Sequence, residues 1–282
     1  MAETLKLVGD EERSQSGGLI QSVLMTGQII EALAAAGQPM RLTALANHLG
    51  EPKARMHRHL STLKYLGFVD QDPQTEYYKL GLRLAHIGQA AMEQFDLRRL
   101  VEPYMMRLRD LTGQTTVLSI PASGDAIVSA AWEFHNPVMI SVKLGYRLPA
   151  HASAQGRITL AFSAADLQQR VLGRKLQAYT PRTLIDPVRV RERLALIRKQ
   201  LYEVSADETL LGISAVGAPI LNFENELVGV IAVVGTTQHV HEPVEPQQLV
   251  NLRACAKAIS LKLNSTAYEG LGLPNLREFI FD

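Results

Sequence analysis

A chain of 282 residues is long for one compact domain and comfortable for two, and 46% hydrophobic with 20% charged residues is ordinary for a globular protein. With a net charge of +1, the chain as a whole has no bulk attraction for nucleic acid or membrane, so any such contact must come from a local patch. No apolar run approaches the ~20 residues that a helical membrane span needs. A single cysteine excludes an internal disulfide and fits a reducing cytoplasm.

Residues 1–17 are polar and acidic, and read as a flexible tail rather than a signal peptide. Val23, Ile29, Ile30, Leu33 and Ala34 then keep helical spacing up to Gly37. The most telling stretch follows. Thr43 is placed to cap a short helix over 44–49 that Gly50 ends. Pro52 opens a second helix at its first position, where proline is tolerated, and Gly67 stops it after about residue 66. Met56, Leu60 and Leu63 share one stripe of that helix, while Lys53, Arg55, His57 and Arg58 crowd its first turns and Ala54, Arg58 and Ser61 face away from the stripe. This is the pattern of a helix–turn–helix, whose second helix offers its N-terminal residues to base edges in a DNA groove. Val69 and Tyr77-Tyr78-Lys79-Leu80, on either side of Asp72-Pro73-Gln74-Thr75, add a strand–turn–strand wing. Between Met40 and Leu66, Arg41, Lys53, Arg55, Arg58 and Lys64 stand against Glu51 alone, a local surface suited to phosphate. The bland alternative is a helical pair with a solvated basic face.

Residues 82–112 read as helical, divided near Asp96 and with Pro103 in the second half. Leu84, Ile87, Met92 and Phe95 leave an apolar stripe on the first half, placed to pack on a second subunit or on the chain's own core. From Thr115 the texture is β: TTVLSI, AIVSAAWEF and VMISVKLG are separated by Ser123-Gly124-Asp125 and Asn136-Pro137. Helices are expected over 154–161, 164–172 and 188–202, then strands ISAVGAPI and LVGVIAVVG, then a closing helix over about 246–264. Hairpin strands with helices gathered between and after them argue an α+β domain with a mainly antiparallel sheet.

Other residues invite chemistry without completing it. His239, His241 and Glu242 share alternate positions but sit beside a proline-broken loop. His151 and Ser153 lack a nucleophile elbow and a third partner. Cys255 lies at core spacing on the last helix. No catalytic residue, metal or cofactor is assigned.

With these elements in this order, the chain resembles the isocitrate lyase regulator (IclR) family of bacterial transcription factors from about Gly18 to Tyr268. The family's recognition helix begins P-K-S-T and continues with H-R; here it is Pro52-Lys53-Ala54-Arg55-Met56-His57-Arg58. Tyr78-Lys79-Leu80-Gly81 is similar to Y-x-L-G, LPAHASAQGR (148–157) to L-P-x-H-A-S/T-x-x-G-K, and GISAVGAPI (212–220) to G-V-R-C-I-A-A-P-I. The resemblance implies a winged helix–turn–helix over 18–81, a linker helix over 82–96, a GAF-like effector domain over 97–268 and a C-terminal extension over 269–282. It also implies dimers or tetramers and a small-molecule signal. Where members that sense small oxo-acids carry an aspartate, a cysteine and two serines, this chain has Ser205, Ala215, Ala232 and Val234. The same matching adds Ile140, Leu148 and Ile213, with Ser153, Ala154 and Gln155 at a helix N-terminus suited to an anion.

The resulting expectation is a cytoplasmic repressor that binds operator DNA through Lys53, Ala54, Arg55, His57, Arg58 and Ser61. Its effector has an apolar, aromatic body and one polar or anionic head. The rival readings are a small-molecule enzyme with an incidental basic helix, and a protein-interaction module.

Overall fold

The computed structural model describes residues 19–93, 96–135, 140–274 and 277–280, and the chain divides into two compact units between residues 95 and 96. In the first unit, α1 (Gln21–Ala36), α2 (Leu42–His48) and α3 (Lys53–Tyr65) enclose one apolar cluster. Ile29 and Leu33 are buried as expected, but Val23 and Ala34 are exposed, and Met25 and Ala32 complete the stripe instead. The caps also differ from expectation. α2 starts at Leu42 with Arg41 before it, so Thr43 lies inside the helix. Pro52 is the residue before α3 rather than its first, with an extended ψ of 137°.

β1 (Val69–Gln71) and β2 (Tyr78–Leu80) form the wing, and Met40 adds an isolated bridge through two backbone hydrogen bonds with Tyr78. Asp72 holds the turn by accepting from the N–H groups of Gln74 and Thr75. These two N–H groups, Thr75 first, hold its carboxyl below the ordinary value. Gly81 is required at the wing's exit: a Cβ there would stand 2.2 Å from the Gly67 carbonyl oxygen. α4 (Leu82–Glu93) follows, with Leu84 half-buried and Ile87 exposed. Of the expected linker stripe, Phe95 and the Met92 side chain lie outside the described residues.

The second unit is a six-stranded antiparallel sheet in the order β5-β4-β3-β8-β7-β6. α5 (Leu97–Thr112) is capped by Asp96, which accepts from the N–H groups of Arg98 and Arg99. β3 (Thr115–Ala122) and β4 (Asp125–Trp132) form the first hairpin. The expected third run does not continue it. Val138 and Met139 lie outside the described residues, 140–143 is irregular, and only β5 (Arg147–Leu148) pairs with β4. Thr115 Oγ1 donates to the Ile140 carbonyl and Ser141 Oγ to Glu133, so side chains tether this segment.

α6 (Ala154–Phe162), α7 (Ala165–Leu172) and α8 (Pro187–Gln200) come next. β6 (Glu203–Ala206) was missed in the sequence, because Leu201 turns the chain at φ 54° where no glycine marks the bend. β7 (Ile213–Leu221), β8 (Leu227–Thr236) and α9 (Pro246–Lys262) complete the unit.

Alternation assigns the faces of the sheet. Ile231 and Val233 of β8 point into the cluster shared with α5 and α9, while Val230, Ala232 and Val234 point the other way. α6 lies on that second side, admitted by Gly217, whose absent Cβ would stand 3.2 Å from Ile158 Cδ1. The C-terminal extension packs back on the α5–α9 side through Leu271, Leu273 and Phe279, and Lys257 Nζ donates to the Leu273 carbonyl.

Candidate functional site

The candidate nucleic-acid interface is the outer face of α3. Met56, Leu60 and Leu63 are buried beneath it, which leaves Lys53, Ala54, His57, Arg58 and Ser61 exposed. Arg55 differs from the others. It is half-buried and its Nη1 donates to both carboxylate oxygens of Glu51, at 3.2 and 3.1 Å. The side chains of Lys53, His57 and Arg58 have no hydrogen bond or ion pair among the described residues. Arg58 therefore presents all its guanidinium donors to solvent, on the face a major groove would meet.

The second site is a cavity of about 490 Å³ on the α6 side of the sheet. Ile140, Leu148, Ser153, Ala154, Gln155, Ser205, Ile213, Ala215 and Val234 all line it, although they come from four separate parts of the chain. Ala232 does not. It is fully buried in the cluster beneath, between Val117 on β3 and Gly217 on β7. The sequence missed Tyr146, Lys143, Thr209 and Leu210 on the rim. They carry no core periodicity, and only the pairing of β6 with β7 brings Thr209 and Leu210 to the mouth.

Two of the expected polar groups are already engaged. Ser153 Oγ donates to the Pro149 carbonyl and accepts from Gly156 N–H, so it caps α6. Ser205 Oγ donates to the Ala152 carbonyl at 2.9 Å. The N–H groups of Ala154 and Gln155 and the amide of Gln155, a residue only 3% exposed, remain available, as does the buried hydroxyl of Ser214 in the lining; none has a hydrogen-bond partner among the described residues. Lys143 adds a cation at the rim with no ion pair among the described residues. A mostly apolar lining surface with free N–H donors at the start of α6 suits an apolar body with a polar or anionic head. Gly156 makes this helix start possible, since a Cβ there would stand 2.1 Å from the Pro149 carbonyl oxygen.

A buried charge cluster next to that helix start was not visible in the sequence. Arg157 is 1% exposed and uses all five N–H donors: on Glu203 Oε1, on both oxygens of Glu208, and on the carbonyls of His151 and Val204. Burial opposes its charge, but Glu208 and Glu203 together raise its pKa above the ordinary value. Arg193 also donates to Glu203 Oε1 and lies 3.5 Å from Glu242. Burial still raises the Glu203 carboxyl, against the pull of Arg157 and Arg193.

The remaining sequence candidates have structural neighbours. His151 Nε2 lies 2.8 Å from the Gln177 carbonyl, and His239 Nδ1 lies 2.9 Å from Thr236 Oγ1. Cys255 is buried, and burial pushes its thiol pKa well up. Trp132 sits in the α5–α9 cluster with its Nε1 on Glu102, on the side of the sheet away from the cavity. Among the described residues no helix is long and apolar enough to cross a membrane.

Comparison with known proteins matches most of the chain. Residues 89–261 match the profile of the bacterial transcriptional regulator IclR C-terminal domain, and residues 22–73 that of the IclR helix–turn–helix domain. The chain is 27% identical to the HTH-type transcriptional regulator XynR of Escherichia coli, covering 91% of this chain and 99% of the relative. It is 29% identical to the transcriptional repressor IclR of the same organism, covering 79% and 82%. Among solved structures, Pseudomonas aeruginosa HmgR superposes with a TM-score of 0.70 at 25% identity, over 88% of this chain and 99% of that one. An IclR homologue of Microbacterium hydrocarbonoxydans complexed with 4-hydroxybenzoate shares the fold, with a TM-score of 0.54 at 21% identity over 86% and 98%. These relatives are transcriptional regulators, and the reading as an enzyme with an incidental basic helix finds no support among them. The chain belongs to the IclR family of bacterial transcriptional regulators, and it is a DNA-binding regulator with an N-terminal helix–turn–helix and a C-terminal effector domain.

Proposed function

We propose that the chain is a repressor whose hold on operator DNA is released by an aromatic or similarly apolar compound with one polar or carboxylate head. The observation that carries this reading is the 490 Å³ cavity, whose lining surface is mostly apolar and which takes in the free N–H groups at the start of α6. Its size lies within the roughly 300–1,000 Å³ typical of drug-sized ligands, and is generous for a two- or three-carbon acid. Ala215 and Val234 offer no hydrogen bond to such an acid, whereas they add apolar contact to a ring. Burying apolar ligand surface contributes about 25 cal/mol per Å² before the entropy lost on binding. The head group meets the N–H groups of Ala154 and Gln155, the Gln155 amide and the Lys143 cation. Calorimetric titration with 4-hydroxybenzoate and with glyoxylate checks this: the aromatic acid binds and glyoxylate does not. Tight glyoxylate binding with aromatic acids inert would overturn it.

On DNA, Arg58 is the leading base or phosphate contact, Lys53 and His57 flank it, and Arg55 acts in the orientation that Glu51 gives it. The operator-bound species is at least a dimer, because one recognition helix reads too few base pairs to find a site in a genome. Leu19, Ile20, Val23 and Leu24 on and before α1, and Leu82 and Ile87 on α4, are exposed apolar residues available for that pairing. Sedimentation at micromolar concentration tests it, and a monomer that still held operator as a monomer would contradict it.

A further inference from the structure

We infer that Glu208, clamped by Arg157, positions the Thr209–Leu210 wall of the cavity and thereby sets effector affinity. The inference rests on the reading of that cavity as the effector site. Two segments line this part of the cavity. One is the first turn of α6, which supplies the free N–H groups; the other is the 207–212 loop between β6 and β7, which supplies Thr209 and Leu210. Arg157 lies one turn into α6, and its Nη1 and Nη2 reach the two oxygens of Glu208 at 2.8 and 2.6 Å. A two-pronged contact of this kind fixes direction as well as distance. Glu208 Oε2 also accepts from Leu184 N–H, while Thr183 Oγ1 donates to the Glu208 carbonyl and Thr180 Oγ1 to that of Asp207. The base of the loop is thus tied down, and the two residues that follow Glu208 form the wall. Leu210 is 62% exposed at the mouth, with half-exposed Tyr146 also on the rim.

The cluster is built so that Glu208 is the member able to leave. Glu203 is 0% exposed and shared by Arg157 and Arg193, whereas the Glu208 side chain is 13% exposed. If Glu208 lets go, water reaches it, and Arg157 still holds Glu203 and the carbonyls of His151 and Val204. No buried charge is stranded, so the large penalty for breaking a buried pair does not apply in full. If Glu203 were lost instead, Arg193 and Arg157 would both lose an anion in the interior. Release of the fork therefore frees the wall without dismantling the sheet.

The test compares the full-length parent with Glu208→Ala, Glu208→Gln and Arg157→Lys. Amide hydrogen exchange is followed in the ligand-free proteins, and 4-hydroxybenzoate binding is followed by calorimetry. In Glu208→Ala, exchange over 208–214 rises about tenfold while 19–93 and α9 stay near parent rates, as for a local opening. 4-Hydroxybenzoate binds about tenfold more weakly, and operator affinity without ligand is unchanged. Glu208→Gln, which keeps one acceptor oxygen, falls between parent and alanine. Arg157→Lys, with three donors in place of five, loosens the loop at least as much as the alanine variant, because the hold on Glu203 and on the carbonyls of His151 and Val204 weakens too. Unchanged loop exchange in Glu208→Ala would overturn the inference, and so would a rise spread evenly over the second unit. A parent that binds no 4-hydroxybenzoate would count against the aromatic-effector reading alone, because the exchange data judge the clamp without ligand. Normal loop loosening with undiminished affinity would sever the clamp from effector binding and overturn the inference as well.

Discussion

The two units build their functional surfaces in opposite ways. α3 spends Met56, Leu60 and Leu63 on its inner face, and apart from Arg55 the residues proposed to read DNA stand free on the other side of the same thirteen-residue helix. The cavity of the second unit draws on residues from 140 to 234, most of them buried or half-buried and several already bonded to the fold. A site on one helix face can lose a side chain and keep its scaffold. A site assembled from distant strands shares its side chains with the core, so function and stability are harder to separate there.

The largest effect should come where that sharing is strongest. Gly156→Ala forces a Cβ to within 2.1 Å of the Pro149 carbonyl oxygen, and backbone cannot move aside as a flexible side chain would. Overpacking of this sort costs about 3 kcal/mol, read as a lower denaturant midpoint for the second unit with the winged helix retained. Midpoints that coincide with the parent's would break the comparison. Arg58→Ala should come next, losing about 1–3 kcal/mol of operator binding, the worth of one good arginine–guanine contact, with unfolding unchanged. Arg55→Ala should lose less, because Glu51 already engages part of its guanidinium. Reversal of that order in a mobility-shift titration at fixed salt would reassign the main contact.

Filling the cavity separates its two roles. Ala215→Phe places a ring where ligand would lie, so 4-hydroxybenzoate binding should vanish while operator affinity stays at the parent value. A variant that still bound ligand normally would move the site elsewhere. The smallest effect belongs to the wing. The Asp72 carboxyl is held below its ordinary 3.8 by the N–H groups of Thr75 and Gln74. A lowered folded pKa means that its contribution is present above 3.8 and is lost as pH falls through the lower folded value. Wing amide resonances should therefore stay native through mildly acidic pH, and Asp72→Ala should loosen the turn alike at neutral and mildly acidic pH.

The sequence carried the first unit almost whole, because its signals are local: an apolar stripe at helical spacing, glycines after helices, an aspartate at a turn. Its helix starts were off by one residue at Pro52 and by two at Thr43, where neighbouring positions can both start a helix, and Val23 and Ala34 of the first stripe are exposed. The second unit was legible as strands and helices, and family matching named nine residues that the sheet does bring to one cavity. Three things stayed hidden. β6 follows a left-handed leucine rather than a glycine. Residues 138–145 have a strand's composition, but their described part, from 140 on, is tethered by side chains at Ile140 and Ser141. The Arg157 cluster joins residues as far as 51 positions apart, a pairing that no periodicity encodes.

The central claim is that ligand in the cavity governs DNA held by α3. A mobility-shift titration of the protein on the DNA upstream of its own coding region tests it directly, with 4-hydroxybenzoate and glyoxylate added in parallel to the parent and to Ala215→Phe. Retention should fall steeply with salt, as phosphate contacts require. 4-Hydroxybenzoate should release the parent but not Ala215→Phe, and glyoxylate should release neither. Release of both proteins alike by the aromatic acid, or of the parent by glyoxylate alone, would contradict the account.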